Sequence, residues 1–246
     1  MCGRYSNAKD LTELVKIISF VYRLPFTPRY NIAPTQSAPV IVQEKQSPEL
    51  KMMRWGLIPS YAKSESVGSA LINARAETLK TRPAFRQAFE KRRCLVPADS
   101  FFEWKERGGK RQPFRVMFKS GHPFCFAGVW ERWVRPASSD CPDTDLDEPA
   151  PSQVVESFTI ITTEANATVK PLHDRMPVIV QPQHYSWWLE CGARNEMYGA
   201  VLKHPAQEPL KIYPVSSLVN GVKTDDPRCI EPVQIERDLF EKPWWG

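Results

Sequence analysis

The chain opens Met1-Cys2-Gly3-Arg4-Tyr5, and the second residue carries chemistry through its position. An initiator methionine is generally trimmed when a small residue follows it. Cys2 would then present an α-amine and a thiol on neighbouring carbons. An aldehyde condenses with such an amine to an imine and water, and the sulfur then closes a five-membered thiazolidine. Unperturbed, the amine titrates near ~7.7–8.0 and the thiol near ~8.5, so both nucleophiles are populated at neutral pH. A cysteine elsewhere in the chain could not close that ring. Read without context, a second-position cysteine is far more often a passive residue at a frayed end.

Such a nucleophile needs a scaffold, and the hydrophobic pattern predicts one built mainly from strands. Short β-rich runs cover Ala38–Gln43, Leu50–Trp55, Cys94–Pro97, Phe101–Trp104, Phe114–Phe118, Pro123–Trp130, Phe158–Thr163, Pro177–Val180 and Leu210–Val215. Leu11, Leu14, Val15, Ile18 and Tyr22 recur at helical spacing behind Asp10. A second helix fits Pro83–Arg93, with Pro in the first turn and Phe85 and Phe89 on one face. Shorter helices are expected near Glu164–Val169 and His184–Cys191. Residues 134–153 contain the acidic run Asp140–Glu148 and no periodicity, which predicts a mobile surface loop. The expected fold is a single α+β domain over residues 1–233, a largely antiparallel sheet or barrel with a few flanking helices, followed by a C-terminal tail at 234–246.

The 246 residues are 42% apolar and include eight Trp, seven Tyr and twelve Phe, enough for a substantial core. No apolar run is long enough for a membrane span, and the first thirty residues lack the pattern of a secretory signal. A cytoplasmic protein is expected, or a nuclear one in a eukaryote, and not a secreted one. The six cysteines are scattered without metal-ligand spacing, so neither disulfides, a metal nor a cofactor is expected. The net charge of +5 admits a polyanionic partner and equally a merely solvated surface.

Seven segments carry a resemblance: MCGRY at 1–5, YNIAPTQ at 30–36, RWGLIPSYAK at 54–63, INARAET at 72–78, RRCLVPADSFFEW at 92–104, LHDRMPVIV at 172–180 and YPVSSLVNGVK at 213–223. In this order they resemble the SRAP family, the SOS-response-associated peptidase proteins that bind abasic sites. The resemblance implies capture of the ring-opened aldehyde of an abasic site in single-stranded DNA, with a stable DNA–protein crosslink at the N-terminal cysteine. It assigns the crosslinking role to Cys2, and active-site roles to Asn73, Glu103 and His173. The expected partner is single-stranded DNA containing abasic sites, with no membrane and no metal, and a monomer is expected.

General chemistry asks for residues of these kinds. One carboxylate, Glu103, could take the amine proton and return it to the departing hydroxyl. An imidazole, His173, exchanges protons near neutrality and could assist opening of the sugar ring. Asn73 could hold the amine or the sugar without titrating. Each has a structural reading too. Alternation along Phe101–Lys105 puts Glu103 on a face that would otherwise be read as solvent-exposed. His173 precedes Asp174 and Arg175 and could belong to a local network, and Asn73 could satisfy backbone groups at a strand end.

For DNA, Arg4, Arg75 and Arg175 lie inside the matched segments and are the phosphate candidates, with Arg82 and Arg86 as further ones. Pro34 and Thr163 are expected to line the site. Family members can carry adjacent tryptophans after the Trp-Gly pair, where this chain has only Tyr61 as a nearby ring for stacking.

Three other readings compete. An N-terminal-nucleophile hydrolase, such as a glutamine amidotransferase, also begins Met-Cys-Gly, but an apolar residue would then normally follow Gly3 where Arg4 stands. A peptidase using Cys2, His173 and Glu103, acting chiefly to remove Met1, is the variant that the family's name suggests. A non-covalent single-strand binder would survive loss of Cys2. An imine also opens a β-elimination route, so a lyase side activity is expected, with His173 or Glu103 removing the C2′ proton.

Overall fold

The computed structural model describes residues 2–20, 25–45, 47–107, 109–135, 153–190, 198–199, 201–202 and 208–235. Its strands are β1 (Tyr5–Asn7), β2 (Arg29–Ile32), β3 (Ser37–Gln43), β4 (Pro48–Trp55), β5 (Asn73–Arg75), β6 (Arg93–Ala98), β7 (Ser100–Arg107), β8 (Lys110–Phe118), β9 (Phe124–Val134), β10 (Val154–Glu164), β11 (Arg175–Pro177), β12 (Ile179–Val180) and β13 (Leu210–Pro214). Helices α1 (Thr12–Ile18), α2 (Pro83–Lys91) and α3 (Tyr185–Leu189) flank them.

One sheet has the order β13-β8-β7-β1-β2, antiparallel throughout. The other closes on itself: β10 pairs β4, β4 pairs β3, β3 pairs β6, β6 pairs β9, and β9 returns to β10. This is a five-stranded barrel, and β5, β11 and β12 extend its rim. Closure depends on Gly128, which faces Cys94 of β6 and Ile160 of β10. A Cβ there would lie 2.9 Å from both the Cys94 sulfur and the Thr159 carbonyl oxygen. Closure leaves these five strands few open edges, which removes unpaired backbone groups.

The larger core lies between the barrel and the first sheet and includes Tyr5, Trp55, Phe101, Phe126 and Phe158. Tyr5 meets Trp55 and Phe126 edge-on at centroid distances of 5.2 and 5.8 Å. A second cluster packs Leu14 of α1, Phe85 and Phe89 of α2 and Trp188 of α3 against the barrel's outer face. Burial of one such side chain is worth about 1.5–3 kcal/mol, which is what holds these short helices. Buried Arg93 ties two of them together, donating to the carbonyls of Phe89 at 2.7 Å and Trp188 at 2.8 Å.

Two expected helices differ. No helix forms at Glu164–Val169: the strand runs on to Glu164, and Asn166 then accepts from the Val169 amide at 3.0 Å, closing a turn. The segment at His184–Cys191 begins as a single turn of 3₁₀ helix at Pro182–His184 and continues as α3. The expected helix through Tyr22 ends at Ile18, and residues 21–24 lie outside the described residues. So do 136–152 of the acidic loop and 236–246 of the expected tail. The loop's two ends meet, the Arg135 amide donating to the Gln153 carbonyl at 2.9 Å.

Candidate active site

Cys2 enters the core directly ahead of β1, and its side chain is fully buried. Strand β1 is held between β2 and β7, with Tyr5 opposite Ile32 on one side and Phe101 on the other. Behind it sits a buried anchor. Asp99 accepts from the Ala8 and Lys9 amides at 2.6 and 3.0 Å and pairs with Arg115 at 3.1 Å. Ser6 donates to the same carboxylate. A buried ion pair with this many additional hydrogen bonds fixes position more than it adds stability.

Continuing the β1–β7 register brings Glu103 opposite Gly3, beside Cys2. Glu103 is only 3% exposed, so its face looks inward and not toward solvent. The reason is its neighbour: Gly3 has no side chain to fill the space, and Phe101 on the same face is part of the core. Burial pushes the Glu103 carboxyl up to about 7, against the pull of the amino terminus and, more weakly, of Arg111. A carboxyl poised there exchanges a proton in either direction at neutral pH.

The Cys2 thiol departs from expectation. Burial, and after it the Glu103 charge, push it far above its ordinary range, so it waits as S–H and is not appreciably thiolate at neutral pH. This protonated thiol replaces the partly ionised one predicted from an exposed chain end.

Asn73 arrives from the barrel side. The Trp55 indole N–H donates to the Ile72 carbonyl at 2.9 Å, and β5 pairs with β10 through Asn73 and Ile160. The Asn73 amide then donates to the Cys2 carbonyl at 2.7 Å. Its own Oδ1 is buried with no hydrogen-bond partner among the described residues. An orphaned acceptor at such a place invites a donor from outside.

His173 follows a turn pinned by buried Val169 and Leu172. Its Nδ1 accepts the Arg175 amide at 2.9 Å, which leaves the proton of the neutral ring on Nε2. Burial lowers its pKa, the amino terminus adding to the effect, which favours that neutral form. His173 and Glu103 line one cavity of about 420 Å³ together with Gly3, Arg4, Trp104, Arg111 and Asn220. Of the four expected active-site residues, Glu103 and His173 therefore face one space together with Gly3, and Asn73 is tied to the carbonyl of Cys2, the residue before Gly3.

The arginines divide. Arg4 is buried, donates through Nη1 to Asn31 Oδ1 at 2.8 Å and to the Val219 carbonyl at 2.6 Å, and lies 5.9 Å from the Trp104 ring centre. Burial lowers its pKa. Arg175 forks onto Glu77 at 2.7 and 2.9 Å and donates to the Thr162 carbonyl at 2.7 Å. Arg75, Arg82 and Arg86 are exposed, Arg82 resting 5.5 Å from the Phe85 ring centre. Pro34 is half-buried, in the turn where Thr35 adopts a left-handed backbone at φ 72°. Thr163 is half-buried and lines a different cavity with Glu77, Glu164 and Asn166. Tyr61 is 66% exposed.

Sequence reasoning missed Trp104, Arg111 and Asn220. The Trp104 indole N–H donates to Asn220 Oδ1 at 2.7 Å, closing one wall of the cavity. Both lie within the quoted motifs, whereas nothing in the local pattern marks Arg111. Among the described residues no group of three or more His, Cys, Asp or Glu could hold a metal ion, and no helix is long and apolar enough to cross a membrane.

Comparison with known proteins agrees with the motifs. The family described as SOS response associated peptidase (SRAP) matches residues 1–222. The chain is 38% identical to abasic site processing protein YoqW of Bacillus subtilis, over 94% of this chain and 99% of that protein. It is 31% identical to abasic site processing protein HMCES of Pongo abelii, over 96% of this chain and 77% of that one. A crystal structure of a Bacteroides thetaiotaomicron protein shares the fold, with a TM-score of 0.79 at 24% identity, covering 95% of this chain and all of that one. On the family match and the extent of these identities, the chain belongs to the SRAP family.

Proposed function

We propose that this protein processes abasic sites in single-stranded DNA by covalent capture, Cys2 supplying both nucleophiles after Met1 is removed. The observation that carries this reading is the buried carboxyl of Glu103, opposite Gly3 and poised near 7, beside the start of the chain. The relatives named abasic site processing proteins supply the substrate class.

The sequence of steps follows from the groups present. Until Met1 leaves, the Cys2 nitrogen is a peptide amide and not a nucleophile. Once it is an amine, Glu103 takes a proton from its ammonium form, and the nitrogen attacks C1′ of the open-chain aldehyde. The resulting carbinolamine loses hydroxide, protonated by Glu103, as one water. His173, with Nε2–H directed outward from the Nδ1 contact, donates a hydrogen bond to the sugar oxygen and favours the open form. Asn73 Oδ1 accepts from the amine or a sugar hydroxyl. The Cys2 S–H then adds across the imine: sulfur bonds to C1′, its proton passes to nitrogen, and a thiazolidine results. Burial of the thiol excludes competing water from this step.

An oligonucleotide with one abasic site, single- or double-stranded, resolved on a denaturing gel, tests the proposal. A shifted band with the single strand, absent for Cys2→Ser and for a protein with a tag left ahead of Cys2, is expected. No Cys2-dependent band overturns it. Removal of Met1 by the same site, with Glu103 as its proton carrier, is the accompanying peptidase activity, and a mass spectrum of Glu103→Ala retaining Met1 is its expected signature. Capture by a protein that still carries Met1 contradicts the scheme.

A further inference from the structure

We propose that Arg111 forms a phosphodiester subsite in the Cys2 cavity, gripping a backbone phosphate that flanks the captured sugar. The inference rests on the proposed covalent capture and specifies how the strand is seated.

An abasic nucleotide keeps a phosphate on each side of its sugar, so bringing C1′ to the Cys2 nitrogen brings at least one phosphate to the rim of this cavity. Its inner wall carries the Glu103 carboxyl, whose ionised form repels a phosphate, so a cation facing the same space is required. Two arginines of the matched motifs are already committed. Arg4 is 8% exposed, with its Nη1 donating to Asn31 and Val219. Both terminal nitrogens of Arg175 engage Glu77, and one also reaches the Thr162 carbonyl.

Arg111 differs on each count. It lies at the start of β8, is exposed, lines the cavity with Glu103 and His173, and its side chain has no hydrogen bond or ion pair among the described residues. Its nearest strand partner is Glu106, across the β7–β8 ladder, without a salt bridge between them. A guanidinium so placed presents its fork of donors to an anion, the geometry that suits phosphate. Its charge also reaches Glu103, acting to hold that carboxyl down. On the opposite side, exposed Arg75 stands two residues beyond Asn73 on β5. Arg111 and Arg75 thus stand on different sheets, Arg111 lining the cavity with Gly3 and Arg75 on the strand whose Asn73 holds the Cys2 carbonyl.

The test uses the full-length protein with Met1 removed and a single strand carrying a tetrahydrofuran abasic analogue, which has no aldehyde and so reports non-covalent seating alone. Affinity is measured against salt for wild type, Arg111→Gln and Arg111→Lys. Loss of one phosphate contact flattens the slope of log K against log salt by about 0.7 for single strands. That flattening is expected for Arg111→Gln and not for Arg111→Lys. A neutral methylphosphonate on the phosphate held by Arg111 should weaken wild type to the level of Arg111→Gln and leave that variant unchanged. Melting temperatures of all three proteins confirm folding.

An unchanged slope in Arg111→Gln overturns the subsite, as does a methylphosphonate effect of equal size in both proteins at each flanking position. A shifted pH profile of crosslinking with an unchanged slope also overturns it, reducing Arg111 to an electrostatic neighbour of Glu103. These outcomes are distinct from failure of the capture reaction, which shows as wild-type protein giving no Cys2-dependent crosslink to a true abasic strand.

Discussion

At the scale of the residue, Glu103 sets the balance between stability and chemistry. Its carboxyl is raised from an ordinary 4.5 to about 7 in the fold, chiefly by burial. A group raised in this way favours the folded state fully below its unfolded value and loses that contribution as pH rises through the folded one. Wild-type stability should therefore fall between about pH 5 and 8 relative to Glu103→Gln, by up to about 3 kcal/mol at 1.36 kcal/mol per pKa unit. Urea unfolding at the two pH values measures this, and parallel curves for the two proteins would contradict it. The same variant, prepared with Met1 already removed, should slow crosslinking by about 10²–10⁴-fold, the usual worth of a positioned acid–base group. Cys2 separates the two bonds to C1′. Cys2→Ser retains the amine, so it should yield an adduct only when borohydride traps the imine. Cys2→Ala should in addition raise strand cleavage, because β-elimination no longer competes with sulfur addition; an unchanged cleavage rate counts against that partition.

Element by element, the site depends on contacts between segments that are remote in sequence. Asn31 of β2 is fully buried, and its amide nitrogen donates to the carbonyls of Gly221 at 3.0 Å and Thr224 at 2.6 Å while its oxygen receives Arg4. It therefore fastens the loop that carries Asn220 against Trp104. Asn31→Ala strands several buried polar groups, each costing about 1–3 kcal/mol. A clear fall in melting temperature is expected, together with a rise in the DNA concentration needed for half-maximal crosslinking; normal values of both would show that the loop is held by other means.

Much of this element layer was legible in the sequence. Every β-rich run falls on a strand, because those runs hold the β-branched and aromatic side chains that fill the barrel, but only Ala38–Gln43, Cys94–Pro97 and Leu210–Val215 match to within a residue at both ends, while β4, β7, β8, β9 and β10 extend two to four residues further at one end, into polar or Pro-containing stretches. Pro177–Val180 is split at Val178 between β11 and β12. Strands β1, β2 and β5 escaped, since three or four residues cannot show alternation and owe their conformation to the partners beside them. Those same short strands carry or adjoin Cys2, Asn31 and Asn73. Glu103 looked solvent-facing because alternation says which residues share a face and not which face is buried. Cys2 is reached through its position at the chain start, and Asn73, Glu103 and His173 through the family motifs, none of them by periodicity, while Arg111 emerges only when β8, next to β7, lines the cavity with Gly3 and Glu103.

For the whole molecule, β1 holds the chain start within the antiparallel sheet and against the closed barrel, so that the thiol lies in the core and Gly3 lines the cavity beside it. This placement predicts a narrow pH response. Crosslinking needs a deprotonated amine, ordinarily near ~7.7–8.0, and a protonated Glu103, which is lost above about 7. The rate should pass through a bell with its maximum near ~7.5, and Glu103→Gln should lose the alkaline limb of whatever rate persists. A rate that climbs steadily to pH 9 would remove Glu103 from the proton path.

The most direct test of covalent capture is the intact mass of the complex with an abasic single strand, taken with and without borohydride. A thiazolidine at the chain start predicts the mass of the protein lacking Met1 plus the strand minus one water, unaltered by borohydride. An adduct retaining Met1, an adduct that appears only after reduction, or no adduct at all would contradict it.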